Sequence, residues 1–126
     1  MLIRQIALKA NKKIVMSLFS GSKRTNSAQK DKNLMPITLK MGATMSMRKV
    51  HEVIAEYHFE TVSLREEYHE IFARDGDFEY TFTFIEDFNK THLSILCYSE
   101  RKSLKIKKNL RELMGFLRNK LEGVIE

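Results

Sequence analysis

Four histidines, one cysteine and a band of carboxylates are the side chains of this 126-residue chain that could do acid-base, metal or thiol chemistry. His58 lies two residues from both Glu56 and Glu60, and in an extended strand that spacing sets all three on one face, where they could hold a divalent ion or pass a proton. A polar, solvated strand face explains the trio equally well, and His51, His69 and His92 add no metal-ligand spacing to it. Cys97 has no basic neighbour in sequence to draw off its proton and falls at an inward strand position, so it reads as an inert buried thiol; with no second cysteine, no internal disulfide can form. The five glycines are too dispersed for a phosphate-cradling loop. Sequence therefore assigns no catalytic residue, no metal and no cofactor.

Charge is the other chemical resource. Residues 1–50 carry 11 Lys/Arg against the single Asp31, residues 51–100 carry 3 against 12 Asp/Glu, and residues 101–126 carry 8 against 3. The net +6 is thus divided into basic, acidic and basic thirds, and the acidic strands can neutralise much of the field of the two ends. Three basic runs, 9–13, 23–32 and 101–111, remain as candidate contacts for nucleic acid, an anionic surface or an acidic protein. Their lack of interleaved aromatics, and the complete lack of Trp, weighs against nucleic acid.

The elements that must position any site follow from hydrophobic spacing. Residues 1–10 alternate imperfectly, as an edge strand would; Asn11 can cap a short helix carrying Ile14, Val15, Leu18 and Phe19, and Gly21 can stop it. Residues 21–34 read as a mobile basic loop with almost nothing to bury. After Pro36, Ile37, Leu39, Met41, Ala43, Met45 and Met47 alternate with polar residues and predict a strand; Val53, Ala55, Tyr57 and Phe59 predict a second, over 51–63. Residues 64–73 fit a helical stripe or a bent strand, and context favours the strand. Asp75-Gly76-Asp77 is a hairpin turn signal, followed by Phe78, Tyr80, Phe82 and Phe84 on one strand face and, after a loop at 87–90, Leu93, Ile95 and Cys97 on the next. From Leu104 through Ile106, Leu110, Leu113, Met114, Leu117, Leu121 and Val124 the spacing changes to threes and fours, predicting an amphipathic helix of some twenty residues, roughly 30 Å long. The expected fold is α+β: one domain over 1–126, with a curved antiparallel sheet of about six strands gripping one long C-terminal helix. No run approaches a membrane-spanning length and no leader is recognisable, so the expectation is a soluble cytoplasmic protein.

This order of elements resembles the START-like, or helix-grip, superfamily, including the polyketide cyclase-like proteins and small bacterial members. The resemblance rests on residues 3–10 running into Asn11-Lys12-Lys13-Ile14-Val15-Met16, the meander over 37–99, and the closing helix over 110–121 with Met114-Gly115-Phe116-Leu117. It covers nearly the whole chain, but departs at 22–34, where larger members place further structure at the cavity mouth. It implies a container for a small apolar or aromatic molecule, lined by Met45, Tyr57, Phe59, Tyr80, Phe82, Phe84, Cys97, Met114 and Leu117, with tyrosine hydroxyls to orient the guest. Ordinary core packing explains the same positions. Relatives that are cyclases or hydrolases make Tyr57, Tyr80 and His58 the first residues to test for turnover. The alternatives are a basic module for an acidic partner and a homodimer formed through an open sheet edge.

Overall fold

Alternation of Phe78, Tyr80, Phe82 and Phe84 with polar residues builds the centre of the molecule. These side chains all enter the core, from strand β5 (Phe78–Asp87), and face Leu93, Ile95 and Cys97 of strand β6 (Lys90–Ser99). The two strands pair along their full length, from Phe78 opposite Ser99 to Asp87 opposite Lys90. Their turn is Phe88-Asn89, and Phe88 takes a left-handed φ of 60° with its ring 91% exposed. Strand β4 (Glu70–Asp75) joins β5 through Gly76-Asp77; Gly76, at φ 60°, occupies the position where the tight turn needs a residue without a Cβ.

The computed structural model describes residues 21–24 and 34–126. The strand expected over 1–10, the short helix after Asn11 and the loop residues 25–33 lie outside these. Gly21–Arg24, expected to open the basic loop, instead forms strand β1, paired antiparallel with the far end of β6. At the other end of the expected loop, Leu34 is fully buried in the core. Strand β2 (Ile37–Leu39) lies in line with β1 on the same edge of β6. Among the described residues the sheet is therefore five strands wide, with strand β3 (Glu60–Arg65) at the opposite side, in the order β1-β6-β5-β4-β3.

The largest correction falls on residues 43–55. The alternation from Ile37 to Met47 predicted one continuous strand, but it ends at Leu39 and helix α1 (Ala43–Ala55) follows. The reason is that Ala43, Met47, Val50 and Ile54 recur at fours and threes, so the segment also satisfies a helical period and buries a full stripe that way. Met45 then points outward, 56% exposed. The second strand expected over 51–63 does not form on its predicted face: Val53 and Ala55 belong to α1, with Ala55 exposed and Ile54 buried, Tyr57 and Phe59 lie in the connection after it, and β3 begins only at Glu60. The segment 64–73 resolves into the end of β3, a 3-10 turn at Glu66–Tyr68 closed by His69 at φ 51°, and β4. Helix α2 (Ile106–Lys120) has 15 residues, about 22 Å, shorter than expected. It buries Ile106, Leu110, Leu113, Met114 and Leu117, and shares the inner face of the sheet with α1. A single closing helix is thus replaced by two, side by side on one sheet.

The sheet edges are finished differently. Along the outer side of β2, Leu39 bridges Ile125, Lys40 N–H donates to the Val124 carbonyl at 2.8 Å and Glu126 N–H to the Thr38 carbonyl at 2.9 Å. Glu126 also pairs with Lys90. On the far side, β3 pairs with β4 alone among the described strands and carries a bulge between Thr61 and Ser63.

Candidate functional site

The residues expected to line an apolar cavity are, Met45 excepted, gathered beneath the two helices. Tyr57, half-buried just beyond α1, lies 4.4 Å from the Phe116 ring of α2 and 5.2 Å from Phe59, ring centre to ring centre. Phe59 stacks on Tyr80 at 4.7 Å, and both reach Phe82 at 6.4 Å. Phe84, Cys97, Met114 and Leu117 complete the same buried cluster. The rings form a ladder from the surface at Tyr57 inward to Tyr80, each rung filling the space of the next. Among the described residues three clefts lie elsewhere, of about 460 Å³ by Met35, Pro36, Thr38 and His92, about 280 Å³ on the outer sheet face by Arg65, Glu70 and Phe72, and about 160 Å³ by Asp77, Tyr98 and Arg101. None of the three is lined by the expected cavity residues.

The ladder is poorly suited to proton transfer at neutral pH. Burial, and then the neighbouring Cys97, hold the Tyr80 hydroxyl far above the ordinary phenol range. Burial pushes the Cys97 thiol up to about 11, with the hydrogen bond donated by Tyr80 pulling it partly back. Tyr57 is also raised, by burial first and then by Glu112 and Asp75. His58, at φ 56° on an exposed turn, stacks on Tyr57 at 5.5 Å instead of lying on a strand between Glu56 and Glu60. Among the described residues no group of three His, Cys, Asp or Glu is placed to hold a metal ion.

The third basic run has a different character. After Ser99, whose buried hydroxyl accepts from Lys102 N–H at 2.9 Å, the chain makes a 3-10 turn over Ser103–Lys105 and enters α2 at the buried Ile106. Leu104, two residues before Ile106 and six before Leu110, lies off the stripe that starts at Ile106, and its side chain is 98% exposed. Lys105, Lys107 and Lys108 are exposed around it and form no ion pair with another described residue; Lys102 pairs with Asp77 at 3.1 Å, a surface contact worth at most about 1 kcal/mol. Leu104, Lys108 and Arg111, spaced by four and three, form the ridge of α2 that faces away from the sheet.

This helix start has no side-chain cap and no acidic residue in its first turn. Unsatisfied N–H groups give a helix N-terminus a partial positive charge, so lysines there cost stability by about 0.3–1 kcal/mol each. The arrangement concentrates positive potential at one point of the surface, which attracts anions. Sequence reading located the basic run, but placed Leu104 on the buried stripe. Its spacing from Ile106 and Leu110, two and six residues, was the signal that it does not belong there. Comparison with protein-family models, curated proteins and solved structures finds no match to this chain.

Proposed function

We propose that the domain is a surface-interaction module that engages a polyanionic partner through the entry of α2. Six cations, Arg101, Lys102, Lys105, Lys107, Lys108 and Arg111, fall within eleven residues without an intervening acid. The observation that carries the reading is the position of the lysines: at an uncapped helix N-terminus they work against folding, and of the four lysines only Lys102 pairs with a described residue. Binding of this kind is steep in salt, because each neutralised phosphate or carboxylate releases a counterion. Retention on immobilised heparin, measured over a salt gradient, should fall sharply for the combined variant Lys105→Glu, Lys107→Glu and Lys108→Glu while its melting temperature holds or rises. Unchanged retention would remove α2 from the contact.

A second reading, capture of a small apolar or aromatic molecule as in the START-like proteins, is favoured by the ladder itself. Tyr57 is its half-exposed first rung, and a turn of that ring would lead a guest toward Phe59 and Tyr80. Native mass spectrometry of the protein from its expression host, with extraction of any bound species, tests it. A co-purified apolar molecule supports capture, and a clean mass with no uptake from an aromatic and lipid library speaks for a packed core.

A further inference from the structure

We infer that the anionic partner is a lipid bilayer surface, on which Leu104 inserts below the phosphates that the surrounding lysines bind. This rests on the polyanion reading and narrows it. Nucleic acid and lipid headgroups offer the same phosphate charge, but they differ in what lies behind it. Behind the headgroups is hydrocarbon, and Leu104 is an apolar side chain 98% exposed at the outermost point of the basic run. A single-stranded nucleic-acid contact would use rings to stack on bases, and residues 101–115 contain none; Phe116 is engaged with Tyr57 at 4.4 Å, and a duplex would leave the exposed leucine without an apolar partner.

The geometry suits a shallow, peripheral attachment. Leu104, Lys108 and Arg111 share the outward ridge, with Lys105 and Lys107 on its two flanks, so the leucine stands inside a group of cations. Lysine stems lie along apolar surface while their ammonium groups stay with the phosphates, which lets the leucine sit deeper than the charges around it. No described helix is long and apolar enough to cross a membrane, and the apolar stripe of α2 is committed to the core. One leucine and a handful of cations give reversible attachment that depends on headgroup charge and salt.

The experiment uses the full chain with vesicles of phosphatidylcholine, with or without phosphatidylglycerol, and heparin in parallel. Binding is expected only when phosphatidylglycerol is present. Leu104→Ser should weaken it about tenfold, the order of one buried aliphatic side chain, without changing heparin retention. Leu104→Trp, in a chain that otherwise has no tryptophan, should shift its emission to the blue on anionic vesicles and be quenched by brominated acyl chains. If Leu104→Ser binds anionic vesicles as the parent does and Leu104→Trp shows no shift, insertion is wrong. If the parent binds heparin or nucleic acid but not anionic vesicles, the lipid assignment fails while the polyanion reading stands. If the triple lysine reversal changes neither vesicle nor heparin binding, both fail together.

Discussion

Helices α1 and α2 lie on the same sheet face and bury similar stripes, yet their N-termini are treated in opposite ways. At α1, Ala43 N–H donates to the Glu86 carboxylate at 3.1 Å, so a negative charge from β5 meets the positive end of the helix. Gly42 makes room for it: a Cβ there would stand 3.3 Å from the Glu86 Oε2 atom. At α2 the corresponding place holds lysines and a fully exposed leucine. Packing and capping account for the start of α1. Among the described residues they leave the start of α2 without such a partner, and the polyanion contact proposed above would account for that contrast.

The largest test concerns what the helices have in common. Leu117→Ala on α2 and Ile54→Ala on α1, both fully buried, should each cost about 2–5 kcal/mol in urea unfolding, whereas Lys107→Ala should cost almost nothing. A small loss at either buried site would mean that its helix is not part of the shared core. The sheet floor under both helices should respond to alkali. The folded Cys97 thiol holds its proton to about 11 against an ordinary 9.0, so between those values the unfolded chain releases a proton that the folded chain keeps. Stability is full below pH 9 and falls by about 2–3 kcal/mol toward pH 11. Tyr80, raised in the same direction, adds to the loss. Urea midpoints followed from neutral pH upward should show that slope, reduced in Cys97→Ala; a flat profile would mean the thiol is reached by water.

The smaller effects separate the two helix starts. Glu86→Ala should cost about 1 kcal/mol by removing the partner of the Ala43 N–H. Lys107→Glu should do the reverse, raising stability by about 0.3–1 kcal/mol while weakening heparin retention. If Lys107→Glu destabilises the protein, the lysines serve the fold and the contrast between the helices disappears.

Legibility in the sequence followed how many constraints each segment obeys. β5, β6 and the buried stripe of α2 were readable because each combines one period with a clear boundary, such as Asp75-Gly76-Asp77. Residues 41–47 satisfy two periods at once: Met41, Ala43, Met45 and Met47 alternate, and Ala43, Met47, Val50 and Ile54 form a helical face. What decides between them is distant in sequence. Glu86 satisfies the start of the helix, and the Met41 carbonyl accepts from the buried Thr91 hydroxyl at 2.7 Å, which fixes the bend before it. The basic run of the candidate surface could be read directly, since charge needs no fold to be counted. The exposure of Leu104 was legible too, since spacings of two and six residues, to Ile106 and Leu110, fall off the helical period; grouping its apolar side chain with the stripe disregards that phase.

The strands at the two sides of the sheet bear on how the protein behaves when crowded with its own copies. β3 is guarded by a bulge and by the charges of Glu60 and Arg65, features that discourage a neighbour from extending the ladder. β2 is short, flanked by Pro36 and Lys40, and Val124–Glu126 occupy its outward hydrogen-bonding groups. Residues 124–126 thus leave that stretch of β2 with no open ladder groups for a second copy to pair with. A shortened chain that kept all of its core would still present Thr38 and Lys40 as an unfilled template, and its failure would be seen as loss of solubility rather than loss of fold.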